Sequence, residues 1–142
     1  MSTRLNQRSR VLVVDDDAVI RRLTTQALTK AGFEVLEAST ADEGIAHVAA
    51  KHASLDAVVT DVEMPGMLNG YDLAWRAHSG CPGAPLFVVS SSVEPDQVKL
   101  PPGGRFFQKP VDPRILIAEL RRAVDLMRRA RTCSRSVHQA LA

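Results

Sequence analysis

The sequence lacks the features that mark several large classes of protein. Its two cysteines, Cys81 and Cys133, lie far apart and show no metal-ligand spacing, so we expect free thiols and no disulfide framework. No apolar run approaches the roughly 20 residues that a membrane-spanning helix needs. The polar start, MSTRLNQRSR, is not followed by an apolar stretch of signal-peptide length. We therefore expect a cytoplasmic protein without membrane contact.

The sequence also lacks a large excess of positive or negative charge. The formal net charge is +2, which gives no reason to expect nucleic acid or an anionic membrane as partner. The 142 residues suit one domain, which we place at residues 10–130, after a disordered segment at 1–9 and before a tail at 131–142. That tail is too short for a DNA-binding domain, so none is expected.

Short apolar runs that end at turn signals recur along the chain, as is typical of strands buried on both faces of a sheet. The predicted strands are Val11–Val14, Phe33–Ala38, Ala57–Thr60, Leu86–Val89 and Phe106–Gln108.

Segments with helical signals separate these strands. Apolar residues recur at helical spacing after Asp17, and Asp112-Pro113 resembles an N-cap followed by proline at the first helical position. The prolines between Val93 and Gly104 leave room for two helical turns at most, so a fourth helix should be short or missing. The predicted helices are Ala18–Ala31, a second from the capping box at Thr40 towards Lys51, a third from about Tyr71 to His78, and a last from Pro113 to about Arg129.

Five strands that alternate with four or five helices predict a doubly wound α/β fold, with a parallel sheet and helices on both faces. In such folds the functional crevice lies beyond the carboxyl ends of the strands, where the strand order reverses. Polar residues at the strand ends should therefore meet in space.

The residues that directly follow the apolar runs form a candidate site: Asp15 and Asp16, then Asp61, Ser90 and Lys109. Two carboxylates held about 4 Å apart repel each other by about 4 kcal/mol at an effective dielectric constant near 20, unless a cation intervenes. An all-oxygen ligand set suits Mg²⁺, with Asp15 and Asp16 as the expected ligands. Asp61 is the expected nucleophile for a phosphoryl group, Lys109 would neutralise the charge, and Ser90 would donate a hydroxyl.

The acidic triplet Asp15–Asp17 also has a simpler interpretation. Acidic residues at a strand end often do no more than cap the helix that follows, and the sequence alone leaves this open.

Four segments resemble the receiver domains of response regulators in two-component signalling over roughly Arg10–Arg129. They are VLVVDDD at Val11–Asp17, VVTDVEMPG at Val58–Gly66, VVSSS at Val88–Ser92 and FFQKP at Phe106–Pro110. Each motif is weak alone, but their order and separation make the resemblance specific.

The resemblance implies a role for each matching residue. Asp61 would be the phosphoacceptor, with Asp15, Asp16, Asp61 and the backbone carbonyl of Glu63 around Mg²⁺ or Mn²⁺. Ser90 and Lys109 would contact the phosphoryl group. Ser90 and Phe106 would form a switch, in which Phe106 occupies a position where tyrosine is frequent. Glu63 and Ser92 would tune dephosphorylation, and the peptide bond before Pro110 would be cis.

The implied function is that of a single-domain response regulator, a monomer or weak dimer that is phosphorylated by a histidine kinase or histidine phosphotransfer protein. It would catalyse only its own phosphorylation and dephosphorylation, and signal by protein interaction or phosphorelay. Two alternatives remain: an aspartate-nucleophile phosphatase, and an interaction module that works without phosphate.

Overall fold

The computed structural model describes residues 8–51, 55–91 and 100–141, and within them the chain forms five strands and four helices. The strands are β1 (Arg10–Val14), β2 (Glu34–Ala38), β3 (Ala57–Asp61), β4 (Leu86–Ser90) and β5 (Gly104–Gln108). The helices are α1 (Ala18–Lys30), α2 (Ala41–Lys51), α3 (Gly70–Gly80) and α4 (Pro113–Leu141).

All five strands are parallel and lie in the order β2-β1-β3-β4-β5. The order reverses at β1, which pairs with β2 on one side and β3 on the other, so the crevice of this doubly wound sheet lies between the ends of β1 and β3. The predicted fold class is confirmed.

Alternate residues of each strand serve two separate cores. Leu12 and Val14 of β1 pack with α2 and α3, whereas Val11 and Val13 pack with α1 and α4. We call these the α2–α3 face and the α1–α4 face of the sheet. Because side chains alternate along a strand, an apolar run without polar interruptions is what a strand covered on both faces requires.

The last helix is longer than the sequence predicts, since α4 continues to Leu141 and does not end near Arg129. Among the described residues, Met127 is the last of α4 that belongs to the core of the α1–α4 face. The continuation from there is favoured by local propensity, because arginine and alanine are good helix formers and neither glycine nor proline intervenes. The proposed division into domain and tail at residue 130 stays a prediction.

Two predictions fall on parts of the chain that the structure does not describe. Residues 92–99, where a short or missing fourth helix was expected, lie outside the described ranges, as do residues 1–7 of the N-terminal segment. None of the helices in the described ranges is both long enough and apolar enough to cross a membrane.

Candidate phosphoacceptor and metal site

Three carboxylates meet at the carboxyl ends of β1 and β3. Val14 of β1 is in register with Thr60 of β3, so the residues that follow them, Asp15 and Asp61, lie side by side. Asp16 completes the group, and one carboxylate oxygen from each lies within 4.8 Å of the others. The structure thus brings the predicted acidic residues together.

Lys109 reaches this group from the end of β5. Its ammonium lies 3.0 Å from Asp61 Oδ2 and 3.4 Å from Asp15 Oδ2. Its backbone N–H donates to the carbonyl of Ser90 at 2.7 Å, which fixes the start of the loop against β4. The Lys109–Pro110 peptide bond is cis, as the resemblance implies.

Burial and charge act in opposite directions on this ion pair. Removal from water raises the pKa of Asp61 above its ordinary value of 3.8, although the hydrogen bond and charge of Lys109 act to lower it. Burial acts to lower the pKa of Lys109, but the bond to Asp61 and the charges of Asp61 and Asp15 outweigh it and raise that pKa. The Lys109 ammonium is therefore held firmly in its charged form.

The two oxygens of Asp61 differ in their surroundings. Asp61 is only 6% exposed, and Oδ2 accepts from Lys109. Oδ1 is buried and has no hydrogen-bond partner among the residues that the structure describes. A buried carboxylate oxygen without a partner is costly, so the site fits a cation or an electrophile.

The acidic triplet after β1 divides its roles. Asp17 is the N-cap of α1, since its Oδ1 accepts from the backbone N–H groups of Val19 and Ile20. Asp15 Oδ1 accepts from the N–H of Asp17 while its Oδ2 faces Lys109. The capping interpretation holds for Asp17, and the remaining two carboxylates form the acidic group with Asp61.

Sequence reasoning missed one supporting residue, Arg21. Its guanidinium donates to the backbone carbonyl of Asp15 at 2.7 Å and to Glu37 Oε1 at 3.2 Å. Arg21 thereby ties the loop of Asp15 to the first turn of α1 and to β2. The available signal was its position four residues after the N-cap Asp17, on the helical turn above the site.

The structure describes three of the four predicted switch and tuning residues, Ser90, Phe106 and Glu63. Ser90 is buried at the end of β4, and its hydroxyl donates to Glu63 Oε1 at 2.9 Å. Phe106 packs, partly buried, against the core of the α2–α3 face. Ser92 lies outside the described residues. The metal contact of the Glu63 carbonyl and the switching of Phe106 stay predictions.

Comparison with known sequences decides the family. The sequence model of the response regulator receiver domain matches residues 11–121. The chain belongs to this family.

Among curated proteins, this receiver domain is similar to the uncharacterized transcriptional regulatory protein YrkP of Bacillus subtilis, with 35% identity over 119 residues. It is also similar to the DNA-binding response regulator MtrA of Mycolicibacterium paratuberculosis, with 34% identity over 116 residues. Each alignment covers 80% of this chain and 50% of the relative. With the transcriptional regulator NtrC of Rhizobium meliloti the identity is 42% over 81 residues, covering 57% of this chain and 16% of that protein. The chain thus spans half or less of the length of these relatives.

Solved structures agree on the fold. A CheY-like response regulator receiver domain protein from Methanospirillum hungatei superposes with a TM-score of 0.79 at 29% identity, covering 87% of this chain and 99% of that one. A response regulator receiver protein from Sinorhizobium medicae, at 24% identity, gives a TM-score of 0.80 over 86% of this chain and 98% of that one.

The receiver domain has a cavity of about 470 Å³ beside the acidic group. It lies between α1 and α4, with Ile20 and Leu23 on one side and Leu116 on the other, and it reaches Asp61 and Lys109. The two helices are joined at the far end, where the Arg121 guanidinium donates to the carbonyl of Ala31, the C-cap of α1, at 2.6 Å. The α1–α4 face is therefore open where it meets the site.

Proposed function

We propose that this receiver domain accepts a phosphoryl group on Asp61 from a phosphohistidine of a sensor histidine kinase or histidine phosphotransfer protein. The observation that carries the proposal is the asymmetry of the Asp61 carboxylate. Oδ2 is held by Lys109 at 3.0 Å, whereas Oδ1 is buried and unpartnered among the described residues. One oxygen is thus positioned and the other is available as the nucleophile.

The transfer is a substitution at phosphorus. A lone pair of Asp61 Oδ1 forms the new O–P bond, and the P–N bond of the phosphohistidine breaks. Its electron pair leaves with the imidazole, which takes up a proton from water. Lys109 offsets the negative charge of the transferred group because its ammonium already lies between Asp15 and Asp61.

Asp15, Asp16 and Asp61 would hold Mg²⁺, or Mn²⁺ in its place, together with the backbone carbonyl of Glu63. The fit rests on an all-oxygen ligand set within 4.8 Å and on a buried oxygen without a partner in the described chain. When bound, the ion neutralises charge on the phosphoryl oxygens.

Phosphorylation then changes the surface that partners meet. We infer that Ser90 turns its hydroxyl to the phosphoryl group and that Phe106 repacks behind it, which shifts the population between two states. The domain catalyses its own phosphorylation and dephosphorylation and turns over no other substrate. Its output is protein interaction or phosphorelay.

Acyl-phosphate formation tests the proposal. Incubation with acetyl phosphate and Mg²⁺ should give one hydroxylamine-sensitive phosphate per chain in the wild type and none in Asp61→Asn. Asp42→Asn, an exposed acid in the first turn of α2, serves as the matched control and should be labelled like the wild type. Labelling that persists in Asp61→Asn would refute the assignment, and steady turnover of a phosphomonoester would favour a phosphatase.

A further inference from the structure

The Ser90 hydroxyl is already committed as a donor. Ser90 is 1% exposed, and its Oγ donates to Glu63 Oε1 at 2.9 Å. A hydroxyl has one proton to donate, so it cannot serve Glu63 and a phosphoryl oxygen together. Any contact from Ser90 to a group on Asp61 must first break the bond to Glu63.

The backbone holds Glu63 in place for this contact. The N–H of Val62 donates to the carbonyl of Val89 at 3.0 Å, so the chain after Asp61 still pairs with β4. The pairing sets Glu63 opposite the end of β4, where Ser90 lies. The Glu63 side chain is itself exposed, so its carboxylate can leave for water without leaving a buried charge behind.

We propose that Glu63 is a positioning residue that holds Ser90 in the unphosphorylated state and thereby weakens the binding of a phosphoryl group at Asp61. This inference rests on the proposed phosphoacceptor function. The atom on which Glu63 acts is Ser90 Oγ, which makes this role more specific than a general tuning of dephosphorylation. Hydrogen bonds to charged groups are stronger than neutral ones, so loss of this bond should tighten binding of a phosphoryl mimic about tenfold.

The charge of Glu63 offers a competing explanation, because a carboxylate near the site repels an anionic phosphoryl group whatever Ser90 does. The two explanations differ in their dependence on Ser90. Repulsion should weaken phosphoryl binding equally with and without the Ser90 hydroxyl. The effect of the proposed hydrogen bond should disappear when the hydroxyl is removed.

A double-mutant cycle separates them, with the affinity for beryllofluoride in the presence of Mg²⁺ measured by calorimetry. Glu63→Ala should tighten binding about tenfold in the wild-type background and less than twofold in Ser90→Ala. Glu63→Gln, which keeps a neutral acceptor, should tighten it by about threefold. Ser90→Gly also lacks the hydroxyl, so the effect of Glu63→Ala should again be less than twofold there, and this background decides the matter should Ser90→Ala not fold. Ser90→Thr keeps the hydroxyl, and the full effect of Glu63→Ala should persist in it.

The chain contains a matched control. Glu43 Oε2 accepts from Ser39 Oγ at 2.9 Å, which is the same serine–glutamate bond at the start of α2. Glu43→Ala should leave beryllofluoride affinity unchanged.

Three outcomes would overturn the role of Glu63 alone. The first is equal tightening by Glu63→Ala in the wild-type background and in a background that lacks the Ser90 hydroxyl. The others are equal effects of Glu63→Ala and Glu63→Gln, and unchanged or weaker binding in Glu63→Ala. Failure of the wild type to bind beryllofluoride with Mg²⁺ would instead overturn the phosphoacceptor proposal itself.

Discussion

The α2–α3 face of the sheet is more tightly packed than the α1–α4 face. On the α2–α3 face, a Cβ added at Gly44 would lie 3.0 Å from the side chains of both Leu73 and Val14, so the helices fit closely against the strands. On the α1–α4 face a cavity of about 470 Å³ remains, and Val19 and Leu23 are 69% and 60% exposed. The site therefore has one tightly packed wall and one open side.

The two sides of the site have different functions. The packed wall fixes the backbone of Asp61, because α3 begins directly against it at Gly70. The open side gives access to the carboxylates between α1 and the start of α4. Interiors packed at high density transmit small displacements, whereas a cavity absorbs them.

Truncation of one leucine on each face tests the contrast. Leu73→Ala should cost about 4 kcal/mol of the free energy of unfolding, and Leu28→Ala about 3 kcal/mol, because Leu28 lines the cavity and loses fewer contacts. Urea denaturation of both variants is the measurement. A larger cost for Leu28→Ala would show that the α1–α4 face is the better packed one.

The second prediction concerns Gly70, the first residue of α3. An added Cβ would overlap the carbonyl oxygen of Asp61, which is backbone and cannot move aside cheaply. Gly70→Ala should cost about 3 kcal/mol and weaken beryllofluoride binding, because the displaced strand end carries the acceptor. Ser79→Ala, exposed in the same helix, should leave both unchanged. Normal binding by Gly70→Ala would show that α3 does not set the position of Asp61.

The third prediction concerns the charge of Asp61. Its folded pKa is raised, so the folded protein binds the proton more tightly than the unfolded chain, and stability falls as pH rises from about 3.8 through the folded pKa. Asp61→Asn removes this loss and should be more stable than the wild type at neutral pH without divalent ions. The advantage should shrink towards acid pH and on addition of Mg²⁺, which binds the wild type better.

Thermal denaturation across this pH range, in chelator and in Mg²⁺, measures the effect of Asp61. Asp42→Asn is again the control. An Asp61→Asn variant less stable than the wild type at neutral pH would contradict the conclusion that burial destabilises the charged form of Asp61.

The smallest expected effect is at Leu23, on the open side of α1. Leu23→Ser should change the free energy of unfolding by less than about 0.5 kcal/mol, because most of the side chain is already in water. A loss above about 1 kcal/mol in urea denaturation would show that α1 and α4 close over this residue in solution.

Much of the fold followed from the sequence because each central strand is an uninterrupted apolar run. Periodicity predicted the helix α1 but not the environment of its apolar residues: Val19, Ile20 and Leu23 recur at helical spacing with the buried Leu28, yet all three are exposed. Periodicity identifies the apolar stripe of a helix, but how closely the neighbouring helix covers it depends on tertiary packing. Ile115 of α4 is exposed for the same reason.

The sequence predicted which residues form the candidate site but not every hydrogen bond between their side chains. Asp15, Asp61 and Lys109 converge because each lies at the carboxyl end of a parallel strand. The bond between Glu63 and Ser90 could not be predicted, because it joins side chains 27 residues apart whose rotamers depend on the local packing.

A crystal structure with Mg²⁺ and beryllofluoride tests the convergence at Asp61 most directly. The account predicts beryllium on Asp61 Oδ1, the metal among Asp15, Asp16 and Asp61, and the Lys109 ammonium on a fluoride. Beryllofluoride bound to another carboxylate, or Lys109 turned away from the bound group, would contradict it.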